Sequence, residues 1–90
     1  MKQYKVSIEP KARKQLKKMD YMQAKSINKW IEKNLVGCSN PYFSGKPLKG
    51  ELKDYWRYRV GSYRVLAKID NDQIIITIVK IGHRQGVYDN

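Results

Sequence analysis

The sequence is poor in the residues that build disulfides, metal centres and membrane spans. It holds one cysteine, one histidine, and eight acidic residues against nineteen Lys and Arg. Cys38 alone cannot close an internal disulfide, which points to a reducing compartment and makes the cytoplasm the expected location. One His and one Cys among scattered carboxylates give no zinc-type ligand spacing, so neither a metal nor a cofactor is expected. The opening MKQYKVSIEPKARKQ lacks the apolar stretch of about 7 to 15 residues that a secretory signal needs. The longest apolar-rich run, 73–81, is interrupted by Thr77 and Lys80 and falls well short of the ~20 residues of a membrane-spanning helix.

What remains is ninety residues with a formal charge of +11, hydrophobic side chains at 41% and aromatics at 11%. That is too much apolar material for a disordered basic tail. A chain this short buries only somewhat over half of its unfolded surface, so residues 1–90 are read as one domain around one core. Like charges at this density oppose compaction and favour association with a polyanion or an acidic partner protein. The excess is front-loaded: nine basic against two acidic residues in 1–30, six against three in 31–60, and four against three in 61–90.

Periodicity divides the chain into a helix-like front and a strand-like back. Tyr4, Val6 and Ile8 alternate with Lys5 and Ser7 as a half-buried strand, which Glu9-Pro10 ends by restricting the residue before proline. Pro10 suits the first turn of a helix carrying Ala12, Leu16 and Met19 on one stripe and Arg13, Lys14, Lys17 and Lys18 opposite. Asp20 and Gln23 resemble a capping box opening a second helix, in which Ile27, Ile31 and Leu35 recur every four residues up to a Gly37 cap. The wet faces of both helices, including Lys25 and Lys29, need only be solvated. From Cys38 to Lys53, prolines and glycines break regular structure, and Tyr42, Phe43, Leu48 and Leu52 are the expected anchors of this loop.

Three strand-like runs follow, 54–60, 63–69 and 73–81, joined at Gly61-Ser62, which suits a type II′ turn, and at Asp70-Asn71-Asp72. The expected architecture is an α+β fold: an N-terminal strand, a helical hairpin and a three-stranded antiparallel meander, with the helices packed on one face of the sheet.

Pairing outward from Gly61-Ser62 sets Val60 opposite Tyr63, Arg59 opposite Arg64, Tyr58 opposite Val65, Arg57 opposite Leu66 and Trp56 opposite Ala67. Trp56, Tyr58, Val60, Tyr63, Val65 and Ala67 then share the face the helices would cover. The other face presents Tyr55, Arg57, Arg59, Arg64 and Lys68, with Lys53 just upstream. Basic residues alternate with apolar ones on any solvated strand. Arginine directly across from arginine is different, because like charges there destabilise the pair by a few tenths to ~1 kcal/mol. Folding alone does not call for it. Forked guanidinium donors beside tyrosine rings suit phosphate oxygens and nucleobases, so Arg57, Tyr55, Lys68 and Lys53 are candidate RNA contacts. The closing segment contributes His83, able to titrate near neutral pH, Arg84, able to neutralise developing charge, and Tyr88, able to move a proton or stack.

Taken together, Pro47-Leu48-Lys49-Gly50, then Tyr55-Trp56-Arg57-Tyr58-Arg59-Val60-Gly61-Ser62-Tyr63-Arg64-Val65, and finally Gly82-His83-Arg84 with Val87-Tyr88, resemble the RelE/ParE superfamily of bacterial and archaeal toxins over nearly the whole chain. The arginine hairpin and closing segment look like the RelE branch, which implies a ribosome-dependent mRNA endoribonuclease (an mRNA interferase) that inhibits translation and is neutralised by a cognate RelB-like antitoxin. The ParE branch shares the scaffold and poisons DNA gyrase, and a non-catalytic RNA-binding module is a third reading. The resemblance implies that Arg64 contacts phosphate, that Arg84 stabilises the transition state or protonates the leaving group, and that Tyr88 is the terminal catalytic tyrosine, with His83 a substitute proton carrier. Arg57 and Arg59 stand where well-studied RelE members have lysines. Arginine stays protonated, so Arg59 would act electrostatically and not as a base. Implied partners are the antitoxin, the ribosome with mRNA in its decoding site and, through the antitoxin, operator DNA.

Overall fold

The computed structural model describes residues 2–83. Five strands form one sheet: β1 (Lys5–Ile8), β2 (Lys46–Pro47), β3 (Trp56–Val60), β4 (Tyr63–Asp70) and β5 (Ile75–His83), in the spatial order β1-β5-β4-β3-β2. Two helices, α1 (Pro10–Lys18) and α2 (Tyr21–Asn34), stand between β1 and β2 in the chain. The mixed α+β architecture is therefore as expected from the sequence. The sheet gains a fifth strand at Lys46–Pro47, which pairs antiparallel with Arg57 and Trp56, and the chain a single 3₁₀ turn at Gly50–Leu52. The N-terminal strand joins the far edge, parallel to β5.

Local signals account for most boundaries. Pro10 occupies the first turn of α1, and the Asp20 carboxylate accepts from the backbone N–H of Met22 and Gln23 at 3.1 and 3.3 Å, capping α2. Gly37 adopts φ +77°, and its N–H donates to the Tyr4 carbonyl at 2.8 Å, tying the end of the helical segment to β1. At the β3–β4 turn Gly61 has φ +62° and Ser62 does not turn positive, in keeping with a type II′ connection. The third run of the meander starts two residues later than periodicity suggests. Asp70 Oδ1 accepts from the N–H of Asp72 and Gln73, and Ile74 is driven to φ +59°, a conformation that a β-branched residue adopts only under constraint.

The core lies between the helices and one sheet face. Ala12 and Leu16 from α1, with Ile27, Ile31 and Leu35 from α2 and its end, close over Tyr58, Val65, Ala67, Ile76, Ile78 and Ile81. One irregularity decides which side chains reach that core. Between Leu66 and Ala67 the register with β5 slips, so that Leu66 faces Lys80 while Ala67 faces Ile78. Val79 is the extra residue of a bulge, which shifts the alternation by one. Ile81 is turned into the core and Lys80 out of it. Past the end of β1, the Ile81 N–H donates to Gln15 Oε1 of α1 at 2.7 Å.

The opposite sheet face is only half open, contrary to the uncovered face expected from the pattern. Leu48 and Leu66 are buried against each other, flanked by Leu52, Tyr55 and Val79. The 48–55 segment thus roofs one end of the face, because Leu66 breaks the run of cations and offers an apolar seat.

Candidate functional site

The observed β3–β4 register matches the outward pairing from the turn, Arg59 opposite Arg64 and Arg57 opposite Leu66 included. Extending the rows across the sheet adds what sequence pairing alone does not supply. One row runs Arg59, Arg64, Gly82; the next runs Lys46, Arg57, Leu66, Lys80. Among the described residues five cations therefore stand on the open half of the face, and none of their described cross-strand neighbours is a carboxylate. Arg59 is exposed, whereas Arg57 and Arg64 are half-buried, with Arg64 Nε closed to solvent. The place across from Arg64 on β5 belongs to Gly82, which has no side chain to fill it. The result is a cationic floor suited to an oxyanion whose charge grows during a reaction.

Other candidates lie elsewhere. Tyr55 is packed into the roof cluster, with Lys68 Nζ 5.2 Å from its ring centroid. Lys68 also faces an open cleft of about 690 Å³ lined by Glu9, Asp54, Asp70 and Asp72, and Lys53 lines a smaller hollow beside Asp54 and Tyr55. That end of the sheet is acidic, so the structure does not bring Tyr55, Lys68 and Lys53 together with the arginines. His83 pairs with Tyr63 in register, and their rings meet edge to face at 4.9 Å. It therefore projects from the helix side of the sheet, across from the arginine rows. Arg84 and Tyr88 lie outside the described residues.

The perturbed groups near the site are structural. Burial pushes the Tyr58 phenol upward, and its O–H donates to the Pro41 carbonyl at 2.6 Å. Burial likewise raises the Cys38 thiol, which argues against an activated nucleophile. Among the described residues no group of three or more His, Cys, Asp or Glu is placed to hold a metal ion, and no helix is long and apolar enough to cross a membrane.

Lys46 and Lys80 were not singled out from sequence. The bulge hid Lys80, since strict alternation from Ile76 and Ile78 assigns position 80 to the core. Lys46 sat in a stretch read as loop, and its only signal was its place before Pro47 and the roof residue Leu48.

A five-stranded sheet carrying two helices on one face and a cationic hairpin on the other is the architecture of a known class of toxin. The model of the family described as "ParE toxin of type II toxin-antitoxin system, parDE" matches residues 6–88, and the chain belongs to this family, within the RelE/ParE superfamily of type II toxin-antitoxin toxins. Toxin RelG of Mycobacterium tuberculosis is 38% identical over 48 residues, a segment that makes up 53% of this chain and spans about half, 55%, of RelG. The fold superposes on the RelBE2 toxin-antitoxin complex of the same organism with a TM-score of 0.84 at 30% identity, covering 93% of this chain and 94% of the other. A mutant E. coli RelE toxin in the free state gives a TM-score of 0.74 at 16% identity over 94% and 87% of the two chains, a likeness of fold.

Proposed function

We propose that this toxin is a ribosome-dependent mRNA endoribonuclease that cleaves translated mRNA by internal attack of a 2′-hydroxyl, and so inhibits translation. The observation that carries the reading is Arg59 set directly across from Arg64 on the open half of the sheet face, with Gly82 next in the same row. In-line attack of the 2′-oxygen on the adjacent phosphorus forms a new P–O bond and expels the 5′-oxygen, leaving a 2′,3′-cyclic phosphate and a 5′-hydroxyl. A proton leaves the 2′-hydroxyl and one reaches the departing oxygen, while the phosphorane between carries extra negative charge. Arg59 and Arg64 supply the cationic floor for that charge. They cannot supply the base, because guanidinium remains protonated. Arg84 and Tyr88, which follow Gly82 and His83 in the chain, are the proposed charge and proton carriers completing the site. Among the described residues the site has cations but no acid–base pair, which suits an enzyme whose substrate is oriented by the ribosome. The proposed partners are a RelB-like antitoxin, acidic or amphipathic, covering the basic surface and linking the complex to operator DNA.

The test is primer extension on a defined mRNA incubated with purified protein, with and without ribosomes. Cleavage is expected only with ribosomes, and it should be lost in Arg64→Ala, Arg84→Ala and Tyr88→Phe while each variant still binds antitoxin. Absence of cleavage by the parent protein overturns the reading. The family model favours a second one, inhibition of DNA gyrase. A purified supercoiling assay separates the two, since the ribonuclease reading expects no inhibition.

A further inference from the structure

Phe43 was expected to anchor its loop, and instead it is 89% exposed. The loop does not need it, because every neighbour of Phe43 is fastened to something else. The Tyr58 O–H holds the Pro41 carbonyl at 2.6 Å, and Asn40 Oδ1 accepts from the Tyr42 N–H at 3.0 Å. The Tyr42 ring meets Trp56 edge to face at 4.9 Å. Trp56 Nε1 donates to the Ser44 carbonyl at 2.7 Å, and the backbone of Gly45 runs so close to Arg57 and Trp56 that a Cβ there would lie 2.6 Å from Trp56 Nε1. An aromatic side chain is thus presented to solvent on a segment fixed at both flanks. Displaying it costs contact with the core, and fixing it beforehand removes most of the ordering cost of binding something to it.

What lies next to Phe43 indicates the ligand. The chain leaving it, Ser44, Gly45 and Lys46, forms one wall of a cleft of about 250 Å³ whose other walls are Trp30, Arg57 and Arg59. β2 is only two residues long, so among the described residues no strand pairs with the outer edge of β3 beyond the Lys46–Arg57 pair, and the cleft opens from the arginine face around that edge. Aromatic rings beside three cations match a nucleotide: a face for the base and donors for its phosphate. We infer that the β3-edge cleft is a subsite for an unpaired RNA nucleotide flanking the reacting one, with its base stacked on Phe43 and its phosphate held by Lys46 and Arg57. This rests on the ribonuclease reading in that single-stranded RNA is taken as the ligand and the track continues outward from Arg59.

The subsite is tested with a fluorescein-labelled 2′-O-methyl RNA decamer, which has no free 2′-hydroxyl and cannot be cut by that route, measured by anisotropy across a salt series. Phe43→Ala should weaken binding by about 5- to 150-fold, the usual range for loss of one stacked base, with the slope of log affinity against log salt unchanged because no phosphate contact is lost. Phe43→Tyr should restore binding. Lys46→Ala and Arg57→Ala should each flatten the slope by about 0.7. The exposure of Phe43 makes misfolding of the alanine variant a poor explanation of any loss, and circular dichroism of each variant checks it. Parental affinity in Phe43→Ala overturns the subsite even if ribosome-dependent cleavage is intact. So does unchanged RNA binding together with lost binding of a Glu-rich peptide, which assigns the cleft to a protein partner. If cleavage is absent but RNA affinity still depends on Phe43, the subsite stands and the ribonuclease reading falls.

Discussion

Arg59→Gln should make the protein more stable and less able to hold RNA. The cross-strand partner Arg64, at roughly 6 Å between charged groups on directly opposed positions, repels Arg59 by about 0.7 kcal/mol at the dielectric of water. A Debye length of about 8 Å at physiological salt roughly halves this. Arg57, two residues along β3 on the same face at roughly 7 Å, adds a comparable amount, and Lys46 and Lys80, in the row of Arg57, about 0.1 kcal/mol each. Removing the charge therefore relieves about 0.8 kcal/mol near 0.15 M salt and about twice that at 0.01 M, where the screening length reaches ~30 Å. For a domain of this size that is a rise in Tm of about 3 to 6 °C at the higher salt and more at the lower. Thermal unfolding followed by circular dichroism at the two salt concentrations measures it, and the same preparation should show a salt slope for RNA binding reduced by about 0.7. A variant that melts below the parent at both salts would refute the reasoning, because it would mean that the fold needs the charge at position 59. A gain that does not depend on salt would refute it as well, since repulsion could not then be its source.

Three further outcomes follow from the strapped loop. Tyr58→Phe keeps the buried ring and deletes the hydrogen bond to Pro41, leaving that carbonyl without its partner, and should cost about 1 to 3 kcal/mol by chemical denaturation. The same phenol gives a pH dependence. Below the ordinary tyrosine value of ~10 it is neutral in both states and its contribution is complete; above it the unfolded chain releases the proton and the fold retains it. Stability should then fall by up to ~1.4 kcal/mol per pH unit from this residue, with burial of Tyr4 acting in the same direction, and Tyr58→Phe should flatten the decline. Gly45→Ala forces a Cβ onto a backbone at φ +86° and against the Arg57 carbonyl and Trp56 indole, and a loss of at least about 1 to 2 kcal/mol is expected in the same denaturation assay.

The helices and the hairpin were legible because each rests on a local rule. Ala12 and Leu16, and then Ile27, Ile31 and Leu35, repeat at helical spacing and are buried as that spacing implies. Gly61 fixes the turn and with it every pairing down to Trp56 opposite Ala67. What escaped depends on contacts distant in sequence. The bulge at Val79 answers to the register of β5 against β4, and nothing in Thr77-Ile78-Val79-Lys80-Ile81 announces it. The Gln15 to Ile81 bond joins residues 66 positions apart and is invisible to any window along the chain. Leu48 was legible as an anchor but not its target, since the pairing that sets Leu66 opposite Arg57 does not say which distant segment folds over it. Phe43 failed for the opposite reason: its apolar character suggests burial, and only the bonds to Pro41, Tyr42 and Ser44 show that the loop is held without it.

Net charge and charge arrangement then do different work. The lysines of α1 and α2 lie on solvated faces and set the attraction of the whole molecule for a polyanion, an effect that falls off with salt and carries no orientation. Orientation comes from the sheet. β4 begins beside Arg64 and ends at Asp70, which shares its cleft with Glu9, Asp54 and Asp72. Eight residues at a rise of ~3.3 Å put the arginine end and the carboxylate end about 20 Å apart. A phosphate-rich surface would turn a strongly basic protein with half of its acidic residues gathered at one end of its sheet so that the Gly61 end faces inward. Lys68, although basic, sits at the wrong pole to share in that approach, whereas Lys46 and Lys80 sit at the right one. Position relative to the strand ends, more than residue type, therefore decides which cations of this chain belong to the proposed site.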